Sequence, residues 1–285
     1  MTVMLRMGSP EDAKACSAIC YEAFKTIADQ HNFPREFPHP EMWDGLIPML
    51  LSRRDIYSVV AEKNGAIVGA NFLWEASLVA GVGPIGVEPS AQNSAIGRRL
   101  MEHVLERARQ RRFPSVRLVQ VAYHNRSLSL YTKLGFDVRE PLVSLHGPPL
   151  GITIPGHVVR SATPEDLEAG NRLCWAVHGH DRGPEFQEAI EKGTVTVVEH
   201  NGRLTGYATL IGYFGHAVGE SNEALKALIG AATVFHGPGF LLPTRNGELL
   251  RWCLENGLRI VQPMTLMSRG LYNEPAGPFL PSILY

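Results

Sequence analysis

Val87-Glu88-Pro89-Ser90-Ala91-Gln92-Asn93-Ser94-Ala95-Ile96-Gly97-Arg98-Arg99-Leu100 is the stretch on which the reading of this chain turns. Apolar residues run up to Val87, small and polar residues fill Gln92 to Gly97, and Ile96, Leu100, Val104 and Leu105 then recur at helical spacing. The pattern predicts a strand, a tight turn and a helix in direct succession. A helix start leaves its first N–H groups without partners, and the dipole adds positive potential there, so this layout suits a phosphate group.

Upstream of that turn, the spacing predicts a short strand over 3–7, a capped helix start at Ser9 to Asp12 and an amphipathic helix through Ala13, Cys16, Ile19, Cys20, Ala23, Phe24 and Ile27. A loop rich in Pro and His (31–40) leads to a second short helix over 41–51. A hairpin follows, with strands over 56–62 and 66–76 around Asn64-Gly65. Downstream, the helix ends near Phe113-Pro114, a strand covers 116–122, a helix covers 126–134, and a strand begins at Phe136.

Pro and Gly crowd residues 146–156, and beyond them the pattern restarts. Residues 158–168 echo 5–13, residues 197–208 echo 59–70, and residues 246–258 echo 125–136, with Gly202, Gly206 and Gly257 matching Gly65, Gly69 and Gly135. Three matches in one order predict an internal duplication. The expected bounds are a first unit at 1–147, a linker at 148–156 and a second unit at 157–285. At the phosphate turn the copies differ: the second has Glu220 and Glu223, whose charges repel phosphate.

The 285 residues carry 27 Lys and Arg against 28 Asp and Glu, so nothing in the net charge of -1 demands a nucleic acid or an anionic membrane. Arg98, Arg99, Arg107, Arg109, Arg111 and Arg112 form a basic run that suits either a solvated helix face or a polyanionic ligand. Cys16, Cys20, Cys174 and Cys253 are too few and too scattered for a disulfide framework or a zinc site, and no metal is expected. No apolar run reaches the roughly 20 residues of a membrane span. A reduced, cytoplasmic protein is the expectation.

With the turn, Asn125, Tyr131 and the run Leu134-Gly135-Phe136 in view, the first half resembles the GNAT superfamily of N-acetyltransferases. Gln92, Ala95 and Gly97 occupy the three marked positions of that family's Q/R-x-x-G-x-G/A turn, with Ala95 where Gly is usual. A methyl group there is tolerated if the local φ is negative. The whole chain resembles a tandem, duplicated member with a degenerate C-terminal copy, in which Trp252 stands at the place of Tyr131. The resemblance implies an α/β (α+β) fold of two GNAT-like domains, each a mixed, mostly antiparallel central sheet flanked by helices.

It further implies acetyl-CoA as co-substrate, held by Val87, Gln92, Asn93, Ser94, Ala95, Ile96, Gly97, Arg98 and Asn125, with the Val87 N–H also placed for an oxyanion. Tyr131 would be the general acid for the departing thiolate, and the acceptor a primary amine of a small molecule or peptide. Glu75 and Glu88 are the carboxylates near enough in sequence to act as base, and an exposed surface role remains open for each. Phe24, His31 and Phe33 lie where substrate determinants of the family usually fall, a region that suits packing between domains equally well. A catalytically silent acyl-CoA-binding or sensor protein would keep the turn without depending on Tyr131. A nucleotide-binding domain would need G-x-G-x-x-G or G-x-x-x-x-G-K-[ST] at the turn, and neither is there. A homodimer is compatible with all of this.

Overall fold

Apolar residues on both faces of consecutive strands build a sheet that is covered on both sides. The computed structural model describes residues 3–284, so residues 1, 2 and 285 of the expected units lie outside the description. The first half contributes strands β1 (Met4–Met7), β2 (Ile56–Lys63), β3 (Ala66–Trp74), β4 (Val79–Val87), β5 (Ser115–Val121) and β6 (Asp137–His146). Its helices are α1 (Ala13–Gln30), α2 (Pro40–Ser52), α3 (Ile96–Gln110) and α4 (Asn125–Lys133). The second half repeats the order with β7 (His157–Ser161), α5 (Leu167–His178), α6 (Gly183–Glu191), β8 (Thr196–His200), β9 (Arg203–Ala208) and β10 (Ala217–Gly219). It continues through α7 (Asn222–Ala231), β11 (Phe240–Pro243), α8 (Gly247–Glu255), β12 (Arg259–Gly270) and β13 (Phe279–Leu280).

Local chemistry explains why the two halves fold alike. Asn64-Gly65 and Asn201-Gly202 both take positive φ (54° and 76°, 53° and 72°), the geometry a two-residue hairpin turn requires. In the first half Arg6 donates to Asp12 at 2.8 Å and to Glu62 at 3.1 Å, tying the first strand to the helix start and to β2. In the second, Arg160 donates to Asp166 at 2.7 Å and to Glu199 at 2.9 Å in the same arrangement. The two helix-flanked halves share mostly antiparallel sheets: among the described strand pairs β4–β5 is parallel, which makes the larger sheet mixed, while every described pair of the smaller sheet is antiparallel, so the expectation of a mixed sheet in each half holds only for the first.

Period-two alternation sends side chains to two separate cores. Val59 and Ala61 of β2 pack with Leu100, Met101 and Val104 of α3, while Ile56 and Val60 pack with Cys16, Trp43 and Ile47 of α1 and α2. The helices α1 and α2 therefore cover one face of the first sheet, and α3 and α4 the other.

The strand order carries a feature that no local pattern announces. The main sheet runs β1-β2-β3-β4-β5-β12-β6-β11, and a second runs β13-β10-β9-β8-β7. Strand β12, from the second half, stands between β5 and β6, pairing Met264 with Val121 on one side and with Leu142 on the other. Strand β11 then pairs with β6 from Phe240 opposite Leu145 to Pro243 opposite Leu142. Each half thus takes its sixth strand's neighbour from the other, around an approximate twofold at the β6–β12 pair. Tyr213, Leu241, Met264 and Leu266 of the second half accordingly share a core with α1 and α2.

Candidate active site

Strands β4 and β5 run side by side only where Val79 to Gly81 face Ser115 to Arg117. Beyond Gly81 the register of β4 against β3 shifts between Asn71 and Leu73, the Trp74 indole N–H donates to the Gly83 carbonyl at 2.8 Å, and the two strands part. A cavity of about 630 Å³ fills the gap, walled by Val82 to Ile85 of β4 and by Leu118 to Val121 of β5. Because the gap lies in the sheet itself, the cavity is reached by α3 and α4 from one face and by α1 and α2 from the other.

On the α3 side the sequence motif forms a tight turn. Asn93 and Ala95 both adopt left-handed backbone, at φ 63° and 62°. The negative φ under which a methyl group at Ala95 would be readily tolerated is not what the backbone adopts: Ala95 takes the conformation glycine prefers, and holds it with its side chain exposed. The Arg99 N–H donates to the Ala95 carbonyl at 3.0 Å as the first bond of α3, so the N–H groups of Ile96, Gly97 and Arg98 have no carbonyl of an earlier turn to bond and remain available to an anion. The Gln92 amide donates to the Val87 carbonyl at 3.2 Å and ties the turn back to its strand. From α4, Arg126 donates to Gln92 at 2.9 Å and to Asn93 at 3.3 Å, placing a guanidinium over the turn.

Of the residues expected at a cofactor, Val87, Gln92, Asn93, Ala95, Ile96, Gly97 and Arg98 line the cavity. Ser94 does not; its hydroxyl donates to the Ala91 carbonyl within the turn. Asn125 is corrected too, being an exposed first residue of α4, while its neighbours His124, Arg126 and Ser127 face the cavity. Tyr131 lies on the cavity wall, 6 % exposed, and burial raises its phenol above the usual range. Of the basic run, Arg98 lines the cavity; Arg99 donates to the Val3 carbonyl at 2.8 Å and Arg109 is paired with Glu106 at 2.6 Å.

Neither candidate base reaches the cavity. Glu75 receives Arg107 at 2.7 and 2.9 Å with its side chain 6 % exposed, a clamp between the end of β3 and the far part of α3. Glu88 continues the β3 ladder through its N–H to the Val68 carbonyl at 3.0 Å, with its side chain turned toward Ser90. Phe24 lines the cavity. His31 and Phe33 do not, and instead back Tyr123, the Phe33 ring lying 4.1 Å from it and nearly parallel.

The carboxylate in the cavity is Glu36, from the loop joining α1 to α2. Tyr213, from the second half, donates to it at 2.7 Å. Tyr123 donates at 3.3 Å to Gln262, a second residue of the second half that faces the same carboxylate. Burial pushes Glu36 up to about 7, against the opposing hydrogen bond from Tyr213 and the nearby Gln262 amide. Two buried side-chain nitrogens lining the cavity, Gln120 Nε2 and His124 Nε2, have no partner among the described residues. Burial holds His124 down to about 4, helped by Arg126 and His31, so its ring is neutral at pH 7.

Among the described residues the corresponding place in the second half is closed. Eight residues separate β4 from α3, whereas Glu220 and Ser221 alone separate β10 from α7. Ser221 Oγ accepts the Ala224 N–H at 3.3 Å and Glu220 accepts from Arg203 at 2.8 Å. Strand β13 pairs with β10 at Ala217 and Val218 and occupies the position where the first half has its gap.

Residues 23–136 match the model of the acetyltransferase (GNAT) family. Over 105 residues the chain is 30 % identical to an IAA acetyltransferase of Azospirillum brasilense, a match covering 36 % of this chain and 68 % of that protein. The chain belongs to the GNAT acetyltransferase family. Solved structures superpose on nearly the full length of this GNAT protein. A putative acetyltransferase from Pyrococcus horikoshii superposes with a TM-score of 0.75 at 17 % identity, over 96 % of this chain and 92 % of its own. A tandem GNAT protein from the clavulanic acid biosynthesis pathway does so with a TM-score of 0.58 at 14 % identity, over 94 % and 98 %. At these identities the likeness is one of fold.

Among the described residues no helix is long and apolar enough to cross a membrane, and all four cysteines are buried and unpaired. Sequence reasoning missed Glu36, Arg126, Tyr213 and Gln262. A lone carboxylate between Phe33 and Phe37 was the available signal for the first, and a cation at the start of α4 for the second.

Proposed function

We propose that this GNAT protein moves an acetyl group from acetyl-CoA to a primary amine, with catalysis in residues 1–147 and a second unit, 157–285, that has no cofactor site of its own. One observation carries the reading: a single cavity passes through the sheet, with an open anion turn and Tyr131 on the α3 and α4 side and Glu36 on the α1 and α2 side. That separation suits direct transfer, because the base belongs with the acceptor and the acid with the leaving group. The pyrophosphate falls to the N–H groups of Ile96, Gly97 and Arg98 and to the guanidinium of Arg126. The unpaired Gln120 and His124 nitrogens suit the amide groups of the pantetheine arm.

Acetyl-CoA supplies an activated thioester, and the chain supplies proton management. Glu36, rather than Glu75 or Glu88, takes a proton from the incoming ammonium, which frees the nitrogen lone pair. The C–N bond forms, the Val87 N–H faces the developing oxyanion, and the C–S bond breaks as Tyr131 protonates the sulfur. The second nitrogen proton leaves as the amide forms and restores the phenol.

Release of free thiol from acetyl-CoA, followed across a panel of amines, tests this. Tyr131→Phe should slow turnover about 100-fold or more while leaving acetyl-CoA binding intact. An unchanged rate with a good amine removes Tyr131 as the acid. Tight acetyl-CoA binding with no thiol release from any amine would leave the silent, acyl-CoA-sensing alternative.

A further inference from the structure

The α1 and α2 side of the cavity has a composition unlike that of the α3 side. Phe24, Phe37 and Phe214 line it, backed by the fully buried Trp43 and Tyr213, and the rings form a connected set: Phe24 to Trp43 at 4.9 Å, Phe37 to Trp43 at 5.0 Å and Phe37 to Tyr213 at 6.1 Å. The cationic lining residues, Arg98, Arg126 and Lys133, all belong to α3 and α4 on the other side. On the aromatic side stands one carboxylate, Glu36, held by Tyr213 and faced by Gln262, both from the second half of the chain.

We infer that the acceptor is a monocationic amine on an aromatic or otherwise apolar body, its ammonium on Glu36 and its body within the rings supplied jointly by α1, α2 and the segment carrying Tyr213 and Phe214. The inference rests on the acetyltransfer reading for the reaction, though not for binding. A single carboxylate matches a single ammonium and offers nothing to a second. An acceptor carrying its own carboxylate, such as a free amino acid, would bury that charge beside Glu36 with no cation to meet it, a large penalty in a dry site. A polyamine would place its further charges against rings alone, and rings give a cation much less than water and a carboxylate do. Aromatic faces reward an aryl group in contact with them beyond simple area burial.

The test has a binding arm and a turnover arm, both on the full chain. With CoA at saturation, quenching of tryptophan fluorescence is followed as 2-phenylethylamine, phenylalanine, spermidine and butylamine are added. Phenylethylamine should bind at least about 100-fold more tightly than phenylalanine or spermidine, with butylamine between them. Equal or better binding of phenylalanine or spermidine, or no binding of phenylethylamine, overturns the inference. In the thiol-release assay the same order should appear in kcat/KM; turnover of spermidine or phenylalanine in preference to phenylethylamine overturns it as well.

Selective phenylethylamine binding without any turnover supports the assigned acceptor class and counts against the acetyltransfer reading instead, so the two failures are distinguishable. Glu36→Gln keeps the shape and removes the charge. It should weaken phenylethylamine binding about tenfold or more while acetyl-CoA binding, which reports an intact fold, stays as it was. Undiminished amine binding in Glu36→Gln would remove Glu36 as the anchor.

Discussion

Replacing Ala95 by glycine is the most direct test of the turn, because the backbone fixes the sign of the effect. Ala95 stands at φ 62° and ψ 7°, where an L-residue carries a cost of about 1–2 kcal/mol that glycine does not. Its methyl group is exposed, so removing it forfeits little packing. Glycine loosens the unfolded chain by about 0.4–1 kcal/mol, which offsets part of the relief. The balance is a gain of about 0.5 kcal/mol, which for a chain this long raises Tm by about 1–2 °C. At an ordinary right-handed helical position the same change would instead cost about 0.5–1 kcal/mol. Equilibrium urea unfolding at constant slope reads the difference. Ala95→Val gives the converse, a loss of more than about 1 kcal/mol, since a branched side chain fits left-handed backbone worst of all. A destabilised Ala95→Gly protein, or an unaffected Ala95→Val protein, would refute the turn geometry and the phosphate site built on it.

The remaining predictions concern the base, the clamp and the exchanged strand. The pH profile of kcat/KM should have an acid limb near 7, where Glu36, facing Tyr123 and Tyr213, gains its charge, and Glu36→Gln should abolish that limb. Glu36 is raised from an ordinary 4.5, so its contribution to stability is complete below that value and is lost as pH rises through about 7. Glu36→Gln should therefore exceed the parent in stability at pH 8 by about 1–3 kcal/mol and match it at pH 4, as paired urea titrations will read. Glu75→Gln should leave turnover unchanged yet cost about 1–3 kcal/mol, because it strands part of the Arg107 guanidinium in a partly buried clamp. Expression of residues 1–147 alone should yield aggregated protein by light scattering, since β5 and β6 would each lose the β12 edge they pair with; a monomeric, folded fragment would contradict this.

Much of this molecule was legible from local patterns, and the site's failures of legibility have one cause. Asn64-Gly65 announces a hairpin because only certain residues tolerate its dihedrals, and the apolar spacing of α3 announces a face because the helix repeats every 3.6 residues. Such signals span a few residues. Glu36 gives none, since its loop is aperiodic and the hydroxyl that holds it, Tyr213, lies 177 residues away. Glu75 and Glu88 drew attention through closeness in sequence to the turn, yet the pleat carries Glu75 to the α3 clamp and Glu88 out beside Ser90. The place of β12 between β5 and β6 is equally silent, because the pairing is decided by register across the whole sheet rather than by any local pattern in either strand.

Strand exchange also fits the proposed reading of the second half, as a unit without a cofactor site that nevertheless keeps its place in the fold. Glu220 and Ser221 close the second turn, β13 fills the second gap, and nothing in the remaining structure depends on an anion there. Strand β12 has no such freedom, because its removal would open the main sheet between β5 and β6 and unseat Met264 and Leu266 from the core beneath α1 and α2. Tyr213 is constrained for a second reason, since its hydroxyl fixes the carboxylate assigned as base. Even the tail is shared: after β13 it continues through the Ile283 N–H, bonded to the Tyr213 carbonyl at 2.9 Å, to place Ile283 and Leu284 on the wall of the first cavity. The second half is thus bound to the first through the α1 and α2 side of the cavity, so on the proposed reading drift in its segment around Tyr213 and Phe214 would change which amine fits without touching the residues assigned to the acetyl donor.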